Sequence, residues 1–347
     1  MKILHLLTTN KFSGAENVVC QIINLFESKI KMVYCSPEGP IRASLKERNV
    51  EFIPLKDFTI SEIRRAIKIF NPDCIHAHDI RASVLSAIAT SKIPIISHIH
   101  GKAEELTRLT IKSFLYRITI HKYQTIIAVS KSILNEYYFK KKLKTKSTVL
   151  YNVINKEILY EKVSQDKNEY EFDGVYLGRF VYPKNPQRLI KILAKVIEKR
   201  SISKFALVGD RELLDECQAL AKKLGIFSNL CFKGFMSNPY KLLHGAKVMI
   251  MTSRAEGTPI CLLEAMLLGV PIISTPIDGV KELLEDGWDG FYSHDDDYLV
   301  DSILKLLSNS ELRNEFSTRI LEKGLKLNNL DNYKDSLHKI YLNKVEM

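Results

Sequence analysis

The chain has 347 residues, 46% hydrophobic and 9% aromatic, which is enough for two ordinary domains with their own cores and excludes a disordered or fibrous polypeptide. Its six cysteines, at 20, 35, 74, 217, 231 and 261, sit in apolar segments with no C-x-x-C pair, which excludes a disulfide scaffold or zinc finger and predicts free thiols in a reducing compartment. Net charge is +11 and uneven: residues 1–165 hold 26 Lys and Arg against 14 Asp and Glu, net +12, and the remainder holds 25 against 26. An excess confined to one half predicts an anionic partner for that half. No zinc-finger, RNA-recognition or OB-type motif accompanies it, so no nucleic acid is expected. The opening MKILHLLTTN turns polar too soon for a signal peptide, and no apolar run nears the ~18 residues of a membrane span, so a cytoplasmic location is expected.

Residues 2–8 read as an apolar strand. Ser13-Gly14-Ala15-Glu16 then opens a helix whose apolar positions Val18, Val19, Ile22, Ile23 and Phe26 recur at helical spacing. Short apolar strands near 32–35, 51–55, 73–77, 94–98, 124–129 and 147–150 alternate with helical patterns. This alternation predicts a parallel sheet covered on both faces, with ligands gathered at the carboxyl ends of its strands. Two histidine pairs fall at such ends, His76 and His78 in CIHAHD and His98 and His100 in IISHIHG. On two separated strand ends, without clustered carboxylates, they suggest no metal, and His76 and His98 read as hydrogen-bonded core residues.

From Glu104 to Lys146 the chain is basic and apolar together. Leu106, Leu109, Phe114, Leu115 and Ile118 share a helical stripe beside Arg108, Lys112, Arg117 and Lys122, and Tyr137-Tyr138-Phe139 runs into Lys140-Lys141-Lys142. Aromatics beside lysines suit an anionic bilayer interface, so residues 104–146 are expected to form a peripheral membrane face. The alternative is a core-packed helix with a solvated basic edge. Residues 156–170 are polar and without a clear period, and the interdomain linker is placed there.

In the second half, FDGVYLGRF (172–180) is a strand ending in Gly178-Arg179, and Lys184 precedes a helix from Pro186 to Lys199. Two fixed cations at a strand end suit an anionic group. FALVGD (205–210) and NLCFKGFM (229–236) supply the next two strand ends. In SRAEGTPICLLEAMLLGVPIISTPIDG (253–279), Thr258 and Pro259 read as the N-cap and first position of a helix. Glu256 then sits in the preceding turn and Glu264 on the second helical turn, so two carboxylates bracket a helix N-terminus, whose partial positive charge suits a phosphate. Gly269–Ser274 reads as the following strand. Asp295-Asp296-Asp297 precedes a helical pattern and reads as an acidic helix start rather than a D-x-D metal motif. Residues 310–347 read as two amphipathic helices.

The spacing of Glu256 and Glu264 inside EGTPICLLEAMLLGVPIISTPIDGVKEL resembles the E-x7-E signature of glycosyltransferase family 4, a retaining family with the GT-B fold. Thr258 and Pro259 stand where the family usually has an aromatic residue and a glycine, and Asp278 replaces the first glycine of its GG pair. GRFVYPKN (178–185) resembles the G-R-x4-K element, Ser13 to Glu16 the G-G-A-E loop, and YNVIN (151–155) the N-G-V-D element. His100-Gly101 resembles the end of T-x-H-G, and His78 the end of D-x-x-H-x-H.

The resemblance implies an α/β chain of two Rossmann-like, doubly wound domains facing across a cleft. Residues 1–160 would bind the acceptor, residues 161–330 the donor, and the last helix, 331–347, would cross back to the first domain. It implies metal-independent transfer, with no cofactor, of a hexose or related sugar from a nucleotide diphosphate donor, UDP-sugar favoured and GDP-sugar possible, with retention. The acceptor would be a lipid-linked saccharide at the inner face of the plasma membrane, in capsule or O-antigen synthesis. Arg179 and Lys184 would stabilise the diphosphate, with backbone groups of the Gly257, Thr258, Pro259 and Ile260 segment. Gly14 would let its backbone approach the donor, Glu264 would hold the ribose hydroxyls, and Glu256 the sugar. His100 would contact the transferred sugar in catalysis, and His78 would line the acceptor cleft. Val208-Gly209-Asp210 and Lys233-Gly234-Phe235 are base-pocket candidates. Two rivals share the fold: a nucleotide-sugar epimerase, which converts donor without acceptor, and a catalytically silent sugar-nucleotide-binding scaffold.

Overall fold

The structure, a computed structural model, describes residues 1–26, 30–101 and 104–342, without the side chains of 104 and 105. The last five residues of the expected final helix and the first two side chains of the basic stretch therefore lie outside the described residues.

Short, mostly apolar runs form two sheets. The first contains β1 (Lys2–Leu6), β2 (Lys31–Pro37), β3 (Phe52–Leu55), β4 (Cys74–Ala77), β5 (Ile95–Ile99), β6 (Tyr123–Ala128) and β7 (Ser147–Val149), in the order β3-β2-β1-β4-β5-β6-β7. The second contains β8 (Gly174–Leu177), β9 (Phe205–Val208), β10 (Leu230–Gly234), β11 (Val248–Met251), β12 (Ile272–Ser274) and β13 (Gly290–Tyr292), in the order β10-β9-β8-β11-β12-β13. Every pairing is parallel. In each sheet the fourth strand returns to the far side of the first, so connections leave the β1/β4 and β8/β11 pairs in opposite directions and open a crevice at their carboxyl ends.

The chain divides into two compact units, Met1–Asn152 with Leu330–Met347, and Val153–Asn329. The boundary therefore precedes residue 160, and the stretch read as a linker is structured. Residues 156–165 form a helix of the second unit, capped by Asn155, whose side chain accepts from Ile158 N at 3.0 Å. Leu159 is the one residue this helix buries, so its sequence offers no apolar period to read.

The first sheet buries Leu4, Leu6, Val33, Ile75 and Ala77 against Ile63, Ala66, Phe70 and Ala82 of the helices after β3 and β4. The helix Leu330–Leu342 joins this unit through buried Tyr333, Leu337 and Tyr341. The Tyr341 ring meets Phe26 edge-on at 5.8 Å, its hydroxyl lies 2.8 Å from His76 Nδ1, and Gln124 Nε2 donates to Ile340 O at 2.9 Å.

In the basic stretch the expected single stripe splits. Leu106 is buried, whereas the helix Ile111–Thr119, opened by a Thr110/Ser113 capping box, buries Ser113, Tyr116 and Thr119. Hydrogen bonds of Tyr116 to Ser97 at 2.8 Å and of Thr119 to Tyr123 at 2.7 Å satisfy that polar inner face. Leu109 (62% exposed), Ile111 (80%), Phe114, Leu115 and Ile118 point outward, so the core-packed alternative does not hold for them. No helix among the described residues is long and apolar enough to cross a membrane.

Candidate active site

Because β8 and β11 are neighbours, the loops leaving their carboxyl ends lie side by side. The first runs from Gly178-Arg179 through the turn Tyr182–Lys184 to Asn185, whose left-handed backbone (φ 52°) opens the helix Pro186–Lys199. The second begins at Thr252, whose hydroxyl donates to Asn185 O at 3.0 Å. Arg254 N donates to Pro183 O, and Arg254 Nη2 to Asn185 Oδ1, both at 2.8 Å. This clamp brings Lys184 and Glu256 into an ion pair, with side chains 15% and 16% exposed, and Ser253 Oγ donates to Glu256 Oε1 at 2.8 Å. Burial pulls the Lys184 ammonium down, but the charge and hydrogen bond of Glu256 together with the charge of Cys261 outweigh it, and the net shift is upward, so Lys184 stays a cation. Arg179 is exposed.

The helix bearing Glu264 runs Ile260–Leu267 and starts one residue later than predicted. Pro259 is the N-cap, extended at ψ 126°, and its carbonyl accepts from Leu262 and Leu263 N, while Thr258 precedes the cap. Proline's fixed φ and missing N–H suit either position, so the sequence does not choose between them. Glu264 lies on the second turn, buried, and accepts from the Tyr240 hydroxyl at 3.0 Å. Burial pushes its carboxyl up to about 7, opposed by Tyr240 and by the charge of Lys162. No sequence signal marks Tyr240, which opens a six-residue helix without motif or period.

Two glycines are required by close backbone approach. A Cβ on Gly279 would meet Gly257 O at 1.9 Å, so the glycine retained from the GG pair holds the Glu256 loop, and Asp278 opens the next helix. A Cβ on Gly209 (φ 143°) would meet Gly178 O at 1.9 Å, and Gly209 N donates to Gly234 O at 2.8 Å. The base-pocket candidates are thereby stitched together at the ends of β8, β9 and β10, with Phe235 exposed beside them. Asp295 caps its helix by accepting from Asp297 N at 2.8 Å, and Asp296 and Asp297 pair with Arg188 and Lys195 at 2.7 and 2.6 Å, an acidic helix start as read.

Gly14, His78 and His100 lie in the first unit, the other sequence-predicted site residues in the second. Gly14 is the first residue of the helix Gly14–Phe26. The histidines are not on separated strand ends: β4 lies between β1 and β5, and His5 is in register with His76. Two-residue periodicity then puts His5, His76, His78, His98 and His100 on one face. The sets His5/His76/His78 and His78/His98/His100 each bring their nitrogens within 4.8 Å of one another. His78 belongs to both, and its Nε2 and Nδ1 are each 2.9 Å from a nitrogen of His5 and His100, so a cation would have to displace one of those bonds. Burial drives His5 and His100 down to about 3 and the other three well below 6.5, so the cluster is neutral at pH 7. Along the chain His5 is simply part of the apolar strand 2–8, and only strand register reveals its place in the cluster. Next to the cluster, Asp79 caps the helix Ile80–Ala89 and accepts from Thr8 N and Oγ1 at 2.9 and 2.7 Å.

The chain matches the family Glycosyl transferases group 1 over residues 160–323 and Glycosyltransferase Family 4 over residues 12–158. It is 30% identical over 249 residues to the uncharacterized glycosyltransferase MJ1178 of Methanocaldococcus jannaschii, covering 70% of this chain and 67% of that protein. It is 25% identical to the UDP-Gal:alpha-D-GlcNAc-diphosphoundecaprenol alpha-1,3-galactosyltransferase of Escherichia coli, over 88% and 87% of the two chains. Among solved structures, Anabaena Alr3699/HepE in complex with UDP-glucose superposes with a TM-score of 0.83 over the full length of both chains at 19% identity. With two parallel Rossmann-like sheets of the same strand order and both family signatures in place, the chain belongs to glycosyltransferase family 4 and has the GT-B fold.

Proposed function

We propose that this chain is a retaining, metal-independent hexosyltransferase that moves a hexose or related sugar from a UDP-sugar, or failing that a GDP-sugar, to a lipid-linked saccharide in cell-surface polysaccharide synthesis. The observation that carries the reading is the clamp that seats a mostly buried Lys184–Glu256 pair at the β8/β11 crevice, beside the start of the helix bearing Glu264. A diphosphate leaving group needs fixed positive charge where its own charge grows. Lys184 and Arg179 supply it, aided by the N–H groups of Gly257, Thr258 and Ile260; Pro259 has none to give. Glu256 takes sugar hydroxyls, Glu264 the ribose diol, and His100 a hydroxyl of the transferred sugar, with His78 behind it on the acceptor side.

The UDP preference draws support from HepE, whose structure holds UDP-glucose, and the lipid-linked acceptor from the E. coli relative named for a diphosphoundecaprenol substrate. A helix whose apolar side faces outward, near the exposed Lys140, Lys141 and Lys142, suits an anionic bilayer, where each basic residue contributes about 1 kcal/mol. It supports peripheral attachment at the cytoplasmic face.

The test is thermal stabilisation by UDP, GDP, ADP and dTDP, followed by transfer from the matching nucleotide sugars to undecaprenyl-diphosphate saccharides. Saturation at a hundred times Kd stabilises by about 2.7 kcal/mol. One selective nucleotide, whose effect disappears in Glu264→Ala, is the expected result. No response to any of them would overturn the donor reading, and conversion of donor without acceptor would make the chain an epimerase.

A further inference from the structure

His5, His78 and His100 form a chain of hydrogen bonds. His100 Nε2 lies 2.9 Å from His78 Nδ1, His78 Nε2 lies 2.9 Å from His5 Nδ1, and His5 Nε2 lies 3.3 Å from Met32 Sδ. A neutral imidazole carries one proton, on one nitrogen, so choosing the tautomer of any member sets all three. Both ends of the chain favour the same order. At the Met32 end, a thioether sulfur accepts weakly and cannot donate, so the proton belongs on His5 Nε2. At the other end, His100 Nδ1 is buried with no partner among the described residues. An N–H left unpaired there is less tolerable than a lone pair, which again places the His100 proton on Nε2. Burial keeps His5, His78 and His100 neutral, as this counting requires.

We propose that Met32, His5 and His78 are positioning residues that order these three protons in one direction, so that His100 donates from Nε2 and presents Nδ1 as a hydrogen-bond acceptor. The use of that acceptor, for a hydroxyl of the transferred sugar, rests on the function proposed above and requires that substrate binding uncover Nδ1, which is buried in the ligand-free chain. The order itself does not.

Nitrogen NMR of the ligand-free, full-length chain labelled with 15N-histidine, assigned by the signals lost in His100→Gln, reads the tautomer directly. Expected are a protonated Nε2 and an unprotonated Nδ1 on His100; the reverse, or equal populations, overturns the proposal. Met32→Leu keeps the volume while removing the sulfur. It should let the reversed order appear and lower transfer kcat/KM about two- to five-fold, the scale of one neutral hydrogen bond, with stabilisation by UDP unchanged. An unaltered His100 tautomer in Met32→Leu removes Met32 from the device. If the wild type transfers nothing, the function proposed above fails, while the nitrogen signals still decide the proton order.

Discussion

Glu264 shows how one buried side chain sets a pH dependence. Its carboxyl rises from 4.5 to about 7 because burial removes the water that would stabilise its charge, and the Tyr240 hydroxyl only partly replaces that water. A raised carboxyl favours the protonated folded state, so its contribution to stability is fully present below pH 4.5 and is lost as pH rises through 7. Glu264→Gln retains an acceptor for Tyr240 and cannot ionise. Urea denaturation from pH 4.5 to pH 8 should show the variant gaining on the wild type by on the order of 3 kcal/mol. Parallel curves would mean that Glu264 ionises in the folded chain as it does in water. The role proposed for Glu264 comes from the E-x7-E resemblance, whereas its burial and its tyrosine come from packing that no local pattern encodes.

At the scale of elements, the Glu256 loop depends on the helix start at Asp278. Since a Cβ on Gly279 would sit 1.9 Å from Gly257 O, Gly279→Ala must push that loop away. Overpacking of this kind costs about 1–3 kcal/mol. The expected outcome is a lower Tm together with loss of nucleotide stabilisation; a variant that binds UDP normally would show that the loop geometry is not needed. The helix Ile111–Thr119 makes the opposite case, because Phe114 and Ile118 on its outer face are exposed. Phe114→Glu with Ile118→Glu should change stability by no more than about 0.5 kcal/mol per site, yet abolish co-sedimentation with anionic phosphatidylglycerol vesicles at low salt. Undiminished vesicle binding would remove this face from the membrane assignment. The apolar stripe was legible in sequence, but its direction was not, because the helix buries Ser113, Tyr116 and Thr119 through hydrogen bonds that hydrophobic periodicity does not register.

At the scale of the whole molecule, the chain leaves the first unit after Asn152 and returns to it at Leu330. Tyr341 closes that return, fully buried against Phe26 and hydrogen-bonded to His76. Tyr341→Ala should cost about 3–5 kcal/mol, the range for truncating a large buried aromatic, and should leave stabilisation of the second unit by UDP in place. Loss of the UDP stabilisation as well would mean that the two units do not unfold separately. Chemical denaturation with and without UDP distinguishes the outcomes. The net +12 of residues 1–165 predicts that any binding to anionic vesicles is a low-salt effect, screened beyond about 8 Å at 0.15 M.

The sequence by itself determined the alternation of strands and helices, the presence of two α/β halves, and the spacings of Arg179, Lys184, Glu256 and Glu264, because these are local patterns along one chain. Tertiary structure alone decided strand order, which places β8 beside β11 and so joins Lys184 to Glu256 across 72 residues. It also set strand register, which gathers five histidines on one face of the first sheet and makes His5 part of a site that no motif marks. Order and register arise from pairing between segments far apart in the chain, and a pattern read along the backbone carries the period of each strand but not the identity of its neighbour.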